Sequence, residues 1–329
     1  MLIYTTYQNR KQTLNKLKRL GLFSQISLLK NNRLRLTTRK PIYSTDETKI
    51  KKIQEKLSAI DTISPFAFYP FTKKIRKKTT GKKKNERLTD ENYKRILHIF
   101  FDIDSTLTHE GVSTINKDVR SDFEDFKRHD CKLYFCSGRS YQDICRLMTK
   151  YNLLPYGIAE SGGIILGMGD PDRGYKFGDR TEPDKLLAYL KTKNIRFKED
   201  KNQQNRRTEV VIDKKSITKT KLMSAIKRSG ADVDCHVSKS AYHITKKGVD
   251  KGTAIEHLGS EELELNKKLH KTVGMGDSDL DLPMLKFCDE FYAVKNADPI
   301  VKAEVRKNIL KNKAPKAVAE LYRKLFPFG

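Results

Sequence analysis

The sequence predicts an α/β fold in which a parallel sheet is interrupted by an inserted α+β domain and preceded by a small basic α+β unit. Three observations lead there. From residue 96 onward, short apolar runs alternate with stretches of helical period, the βαβ rhythm of a parallel sheet with right-handed crossovers. Between about residues 164 and 243 that rhythm gives way to strand-rich material and then returns. The first 95 residues hold 25 basic and 7 acidic side chains, a net of +18, against +8 for the other 234. Such an asymmetry speaks of partners rather than of fold.

The basic unit is expected over residues 1–72. Leu2 to Tyr7 reads as a strand, and Asn9 to Leu20 as a helix stopped by Gly21. Ile26–Leu29 and Leu34–Thr38 flank Asn31-Asn32, a hairpin signal. Ser44-Thr45-Asp46-Glu47 is a capping box ahead of a helix with Ile50, Ile53, Leu57 and Ile60 on one face. The aromatic run Phe66 to Phe71 closes the unit. Residues 73–95 begin with the self-repelling run Lys73 to Lys84 and read as a basic linker.

The expected core comprises residues 96–160 and 246–329, with 161–245 as the insertion. Ile96 to Phe101 is a buried strand. A helix from Ser113 or Thr114 to Arg128 turns Ile115, Val119, Phe123 and Phe126 inward. Cys131–Cys136 is the second strand, and the next helix buries Tyr141, Ile144, Leu147 and Met148. Tyr156–Ala159 is the third strand. Within the insertion, Ile164–Leu166, Glu209–Ile212, Val233–Val237 and Tyr242–Thr245 read as strands, and Pro183–Lys193 and Ile217–Arg228 as helices. Lys251 opens a helix, Lys271–Gly274 and Phe291–Val294 are strands, and Leu282–Leu285, Ile300–Ile309 and Lys316–Leu325 are helical.

No run of about 18 apolar residues occurs, so no membrane-spanning helix is expected. Residues 1–7 are too short and too polar for a signal peptide. The five cysteines are scattered without zinc spacing, which suits a reducing cytoplasm.

Chemistry concentrates at strand ends. The first core strand runs into Asp102-Ile103-Asp104-Ser105-Thr106, two carboxylates at i and i+2. A regular strand would point them to opposite faces, so the chain must bend there for both to serve one site. The second strand ends in Ser137-Gly138-Arg139, Lys251 stands just before a helix, and Gly276-Asp277-Ser278-Asp279-Leu280-Asp281 forms an acidic turn. Acids delivered to the carboxyl edge of a parallel sheet lie where such sheets build sites. Carboxylates with water are the ligands magnesium prefers.

These four motifs, in this order, resemble the haloacid-dehalogenase (HAD) superfamily of phosphohydrolases over about residues 96–329. The insertion after the third strand is similar to the class IIB, or Cof-type, cap. Asn205-Arg206-Arg207-Thr208-Glu209 and the short cap look most like archaeal phosphoglycolate phosphatases, with sucrose-phosphate and mannosyl-phosphoglycerate phosphatases as near relatives. The resemblance implies a Rossmann-like core and a magnesium-dependent phosphatase acting on a small phosphorylated metabolite. It assigns Asp102 as nucleophile, forming an aspartyl-phosphate, and Asp104 as general acid and base. It gives Asp102, Asp104 through its carbonyl, Asp277 and Asp281 to the metal. Ser137 and Lys251 then hold phosphoryl oxygens. Arg206, Arg207 and Lys247 are candidates for an anionic end of the substrate. Two departures stand out: Ser105 replaces the usual Gly and Leu280 the usual Asn of the fourth motif, with Ser161 a milder change for Asn. An alternative reading makes the chain RNA-associated, its basic first 95 residues binding RNA or another polyanion and its HAD part secondary or processing nucleic-acid phosphate ends.

Overall fold

A computed structural model describes residues 95–329, apart from 154, 171–173, 268, 328 and 329, together with four strands and residues 15, 17, 18 and 52 from the first 94. The chain forms two compact units, Met1–Thr89 and Asp90–Gly329. In the first, β1 (Leu2–Thr6), β2 (Phe23–Leu29), β3 (Arg33–Thr38) and β4 (Ala67–Tyr69) make an antiparallel sheet in the order β2-β3-β1-β4. The expected hairpin is the β2–β3 pair. The basic run Lys73 to Lys84 and nearly all of the two expected helices lie outside the described residues.

The second unit opens with β5 (Ile96–Phe101), followed by α1 (Val119–Arg128), β6 (Lys132–Phe135), α2 (Tyr141–Tyr151) and β7 (Gly157–Ala159). After the insertion come α5 (Lys251–Glu261), β13 (His270–Gly276), α6 (Met284–Phe287), β14 (Glu290–Ala293), α7 (Pro299–Val305) and α8 (Ala317–Leu325). Strands β14-β13-β5-β6 form one parallel sheet, and a parallel bridge from Cys136 to Ile158 carries it on to β7. The strand order reverses at β5, which has β6 on one side and β13 on the other. That is the position at which an open α/β sheet leaves a crevice outside its carboxyl edge.

Between β7 and α5 lie β8 (Ile164–Asp170), β9 (Gly174–Lys176), α3 (Thr181–Thr192), β10 (Val210–Asp213), α4 (Lys219–Ser229), β11 (Val233–Val237) and β12 (Ala241–Lys246). The antiparallel sheet β10-β12-β11 and its two helices bury their own cluster, including Leu186, Leu190, Val210, Ile212 and Leu222. Strand β8 instead pairs with β7, and β9 with β8, and Ile164, Ile165 and Leu166 are buried in the main core. The separately packed cap therefore starts at α3, later in the chain than the change in sequence character.

Two helices are shorter than their apolar spacing suggests. Ile115 is buried, but it makes a bridge to Thr108, and Asn116 Oδ1 takes the Asp118 N–H, so residues 113–118 form a loop before α1. A buried loop residue four positions before Val119 imitates a helical repeat. Likewise Ile309 bridges to Ala293 instead of extending α7.

The core behind the sheet is aromatic. Phe123 is 1% exposed and meets Phe101, Phe135 and Tyr151 at centroid separations of 5.1, 6.1 and 5.9 Å. Truncating it leaves a void that neighbouring rings cannot fill. Phe123→Ala is expected to cost about 3–5 kcal/mol of unfolding free energy, read from the shift in a urea denaturation midpoint; a cost under about 1 kcal/mol would contradict this packing.

Candidate active site

The site begins where β5 stops. The Asp102 N–H still donates to the Met275 carbonyl (2.9 Å), tying it to β13, and then the chain turns. The Ile103 carbonyl accepts the Leu107 N–H at 2.8 Å, and Ser105 takes a φ of 60°. This left-handed position explains why a glycine is usual in the motif; here the Ser105 N–H is fixed by Thr108 Oγ1 (2.9 Å). The turn is the bend that two carboxylates at i and i+2 require.

At the end of β13 the acidic turn folds back on itself. Asp281 Oδ2 accepts the N–H groups of Asp277 and Ser278, both at 2.9 Å. Gly276 makes room for this: a Cβ there would stand 2.5 Å from the Asp281 carboxyl carbon. Opposite, Asp250 caps α5 by accepting the Thr253 N–H (2.8 Å), which places Lys251 on the first turn. A cation is disfavoured at a helix N-terminus. Lys251 is nonetheless fully buried, because its Nζ donates to Asp102 Oδ1 (2.6 Å) and Asp281 Oδ1 (2.5 Å).

Asp102, Asp277 and Asp281 each offer an oxygen within 4.8 Å of the others. Burial, then the neighbouring carboxylates, push Asp277 up to about 8, with Lys239 opposing. Burial and Asp281 push Asp102 up to about 7 against the pull of Lys251. Lys251 is driven the other way: burial would lower it, but Asp102 and Asp281 outweigh that and raise it well above its usual value. The donor set fits magnesium, being all oxygen, compact and short of positive charge. Asp277 Oδ2 is buried without a hydrogen bond and has only the Lys239 ammonium 3.0 Å away. Both Asp281 oxygens are already engaged, so it is suited to supporting the ion from beside it. The Asp104 side chain stands outside this group.

Ser137 follows β6, is fully buried, and its Oγ accepts the Arg139 N–H at 3.2 Å. The cap of α2 is Ser140, whose Oγ accepts the Asp143 N–H, so Ser137 is not spent on the helix. Arg139, not singled out from sequence, grips Asp104 with two bonds, Nε to Oδ2 at 3.0 Å and Nη2 to Oδ1 at 2.5 Å. Its position directly after Ser137-Gly138 was the available signal.

The cap closes a cavity of about 980 Å³ over these groups, with Asp102, Asp104, Arg139, Arg206, Lys239 and Asp277 among its walls. Of the three cap cations expected there, Arg206 lines it, but its guanidinium pairs with Glu209 and donates to the Gly138 carbonyl (2.6 Å). Arg207 lies over the Tyr141 ring, 4.3 Å from its centroid, and Lys247 pairs with Asp232 at 3.3 Å; neither lines the cavity. Sequence reading also missed Glu209 and His243. Glu209 is fully buried and accepts from Ser161 Oγ (2.7 Å), with His243 Nδ1 3.1 Å away. Burial would raise Glu209, but Arg206 and His243 outweigh it and hold the carboxyl below its usual range. Leu280, in place of a polar residue, packs beside Gly138; a Cβ on that glycine would meet Leu280 at 3.1 Å and His243 at 2.9 Å.

The model of the haloacid dehalogenase-like hydrolase family matches residues 99–197 and 172–321. The chain belongs to this family. A phosphoglycolate phosphatase of Nitrosopumilus maritimus is 27% identical over 226 residues, covering 69% of this chain and 94% of the relative. One of Methanothrix thermoacetophila is 31% identical over 149 residues, 45% of this chain and 63% of the relative. Among solved structures, a Thermoplasma acidophilum protein shares the fold at TM-score 0.60 and 18% identity, over 71% of this chain and 99% of that one. The sucrose-phosphatase of Synechocystis sp. PCC6803 does so at TM-score 0.52 and 18% identity, over 71% and 98%. The expected HAD-type fold and phosphatase kinship thus agree with these likenesses. Among the described residues no helix is long and apolar enough to cross a membrane.

The raised carboxyls carry a consequence for stability. Asp102 and Asp277 hold their protons to about 7 and about 8 when folded, against 3.8 as ordinary carboxyls. At these two sites the folded chain binds more protons across that window, so their contribution to stability falls as pH rises through it; buried His98, held down at about 3, opposes this in part below 6.5. Lys251, raised above 10.5, contributes stability that is lost only above that value and so is constant here. In EDTA, the thermal unfolding midpoint is expected to drop between pH 5 and pH 8, and magnesium or Asp277→Asn should flatten that slope. A midpoint that rises over this range would contradict the charge balance described.

Proposed function

We propose that the protein is a magnesium-dependent phosphomonoester hydrolase that works through an aspartyl-phosphate on Asp102, with a small phosphorylated metabolite as substrate. The observation that carries this reading is the convergence of Asp102, Asp277, Asp281 and Lys251 at one buried point. In this reading Asp102 attacks the phosphoryl group, splitting one hard displacement into two. Lys251 and Ser137 hold phosphoryl oxygens, where negative charge is spread in the transition state. Asp102, Asp277 and the Asp104 carbonyl would hold a magnesium ion, with Asp281 beside them; when bound it neutralises carboxylate and phosphate charge that would otherwise repel.

Asp104 is assigned proton delivery to the leaving alcohol and later proton removal from the attacking water. Its fork with Arg139 is half exposed and faces the cavity. The fork must open for the proton to move, and a substrate anion competing for Arg139 would open it. The substrate is read as phosphoglycolate-like or a sugar phosphate, in line with the names of the relatives. The cap excludes water while the first step proceeds.

The test is p-nitrophenyl phosphate hydrolysis with magnesium, with EDTA, and by Asp102→Asn. Rates should fall by roughly three orders of magnitude in the last two cases; equal rates in all three would end the phosphatase reading.

Residues 1–95, with their net charge of +18, support a separate role in binding RNA or another polyanion. Full-length protein is expected to retain RNA on a filter in a salt-dependent way, and a chain beginning at Glu91 to release it. Equal retention by both would remove the role.

A further inference from the structure

The hairpin between β11 and β12 enters the site from the cap. Its tip, Ser238-Lys239-Ser240, is closed by the Ser238 N–H on the Ala241 carbonyl (2.9 Å) and the Ala241 N–H on Ser238 Oγ (3.1 Å). One residue earlier, the Val237 N–H donates to Asp279 Oδ2 at 3.0 Å. Asp279 is the acid of the turn that stays out of the metal group, and here it docks the cap on the core.

This docking delivers Lys239 to the reaction centre. Its Nζ lies 3.0 Å from Asp277 Oδ2, 3.3 Å from the Asn296 carbonyl and 3.6 Å from Glu110 Oε1. The side chain is 25% exposed and borders the cavity, so the ammonium faces both the carboxylates and the space a substrate would fill. Of the other cations near the centre, Lys251 is held between the buried Asp102 and Asp281 and Arg206 is paired with the buried Glu209, while Arg139 serves Asp104. With Asp277 engaged by a divalent ion, the donors of Lys239 turn to whatever anion enters.

We propose that Lys239 is the specificity-determining residue of the cap, holding a second anionic group of the substrate that lies only a few bonds from the phosphate ester oxygen. The proposal rests on the phosphatase reading above and names the substrate class within it: short phosphomonoesters bearing a carboxylate or a second phosphate. Distance sets the length. Asp277 is within 4.8 Å of Asp102, the phosphoryl acceptor, so an ammonium 3.0 Å from Asp277 stands next to the phosphate seat. A lysine presents a compact charge with three donors and accepts either anion without a planar fork. Lys198, Lys201, Lys214 and Lys215 border the same cavity farther out, each beside or near an acid of the same wall, Glu199, Asp200 or Asp213.

The experiment compares phosphoglycolate with its uncharged amide, using full-length protein and magnesium. In the wild type, kcat/KM should favour the acid by at least about ten-fold, the scale of one charge-assisted hydrogen bond. Lys239→Met should bring that ratio to near unity, and Lys239→Arg should recover most of it. Equal kcat/KM values in the wild type, or an unchanged ratio in Lys239→Met, overturn the proposal. So does hydrolysis of p-nitrophenyl phosphate without any turnover of phosphoglycolate. Calorimetric binding of the acid and the amide to Asp102→Asn, with and without Lys239→Met, reads the same preference without turnover. A chain that hydrolyses nothing therefore strikes the phosphatase reading, while the anion preference is still decided by binding.

Discussion

Three carboxylates crowded into a buried pocket set the terms for everything else in the second unit. At 4.8 Å, two like charges repel by about 3–4 kcal/mol even at an effective dielectric constant near 20. The fold must therefore bring compensating charge to the same point, and it does so from three directions. The N-terminus of α5 delivers Lys251 between Asp102 and Asp281, the cap delivers Lys239 to Asp277, and the remaining deficit leaves two acids holding protons near neutrality. A lysine at a helix start and two proton-holding aspartates each run against local preference. They persist because the neighbouring charges demand them.

The same pressure ties the cap to the core. Glu209, Arg206, His243 and Ser161 form a closed buried network across the two parts, and Arg206 reaches the carbonyl of Gly138 between Ser137 and Arg139. Gly138 is squeezed by His243 from the cap and Leu280 from the acidic turn. The loop carrying Ser137 is thus positioned by both halves of the chain. Asp279 adds a second joint through Val237. Cap and core meet through hydrogen-bonded polar groups here rather than through a shared apolar core, an arrangement that allows separation without exposing a large hydrophobic face.

How much of this could be read in advance depends on the range of the interaction. The strands and the four motifs were legible because each is a local pattern: an apolar run ending in a turn, or a lysine just before a helix. The start of α1 was misread because Ile115 is buried from a loop, and periodicity alone cannot distinguish that from a helical face. The cap boundary was set too early because β8 has strand character in either domain, and only its pairing with β7 decides which core it joins. Arg207 and Lys247 were drawn toward the site by their charge, yet Tyr141 and Asp232 hold them elsewhere. Lys239 was passed over for the converse reason: in a chain with 67 basic residues, one more lysine carries no signal until the fold sets it against an aspartate 38 positions away. Nearly all of the two helices expected in the first unit lies outside the described residues.

The central claim is that Asp102 and Asp277 share one divalent cation. Crystals soaked with manganese, a magnesium substitute visible by anomalous scattering, test it most directly. The account predicts a single strong peak in the second unit, within bonding distance of both side chains and lost in Asp277→Asn. A peak at another acidic cluster, or none beside Asp102, would contradict it.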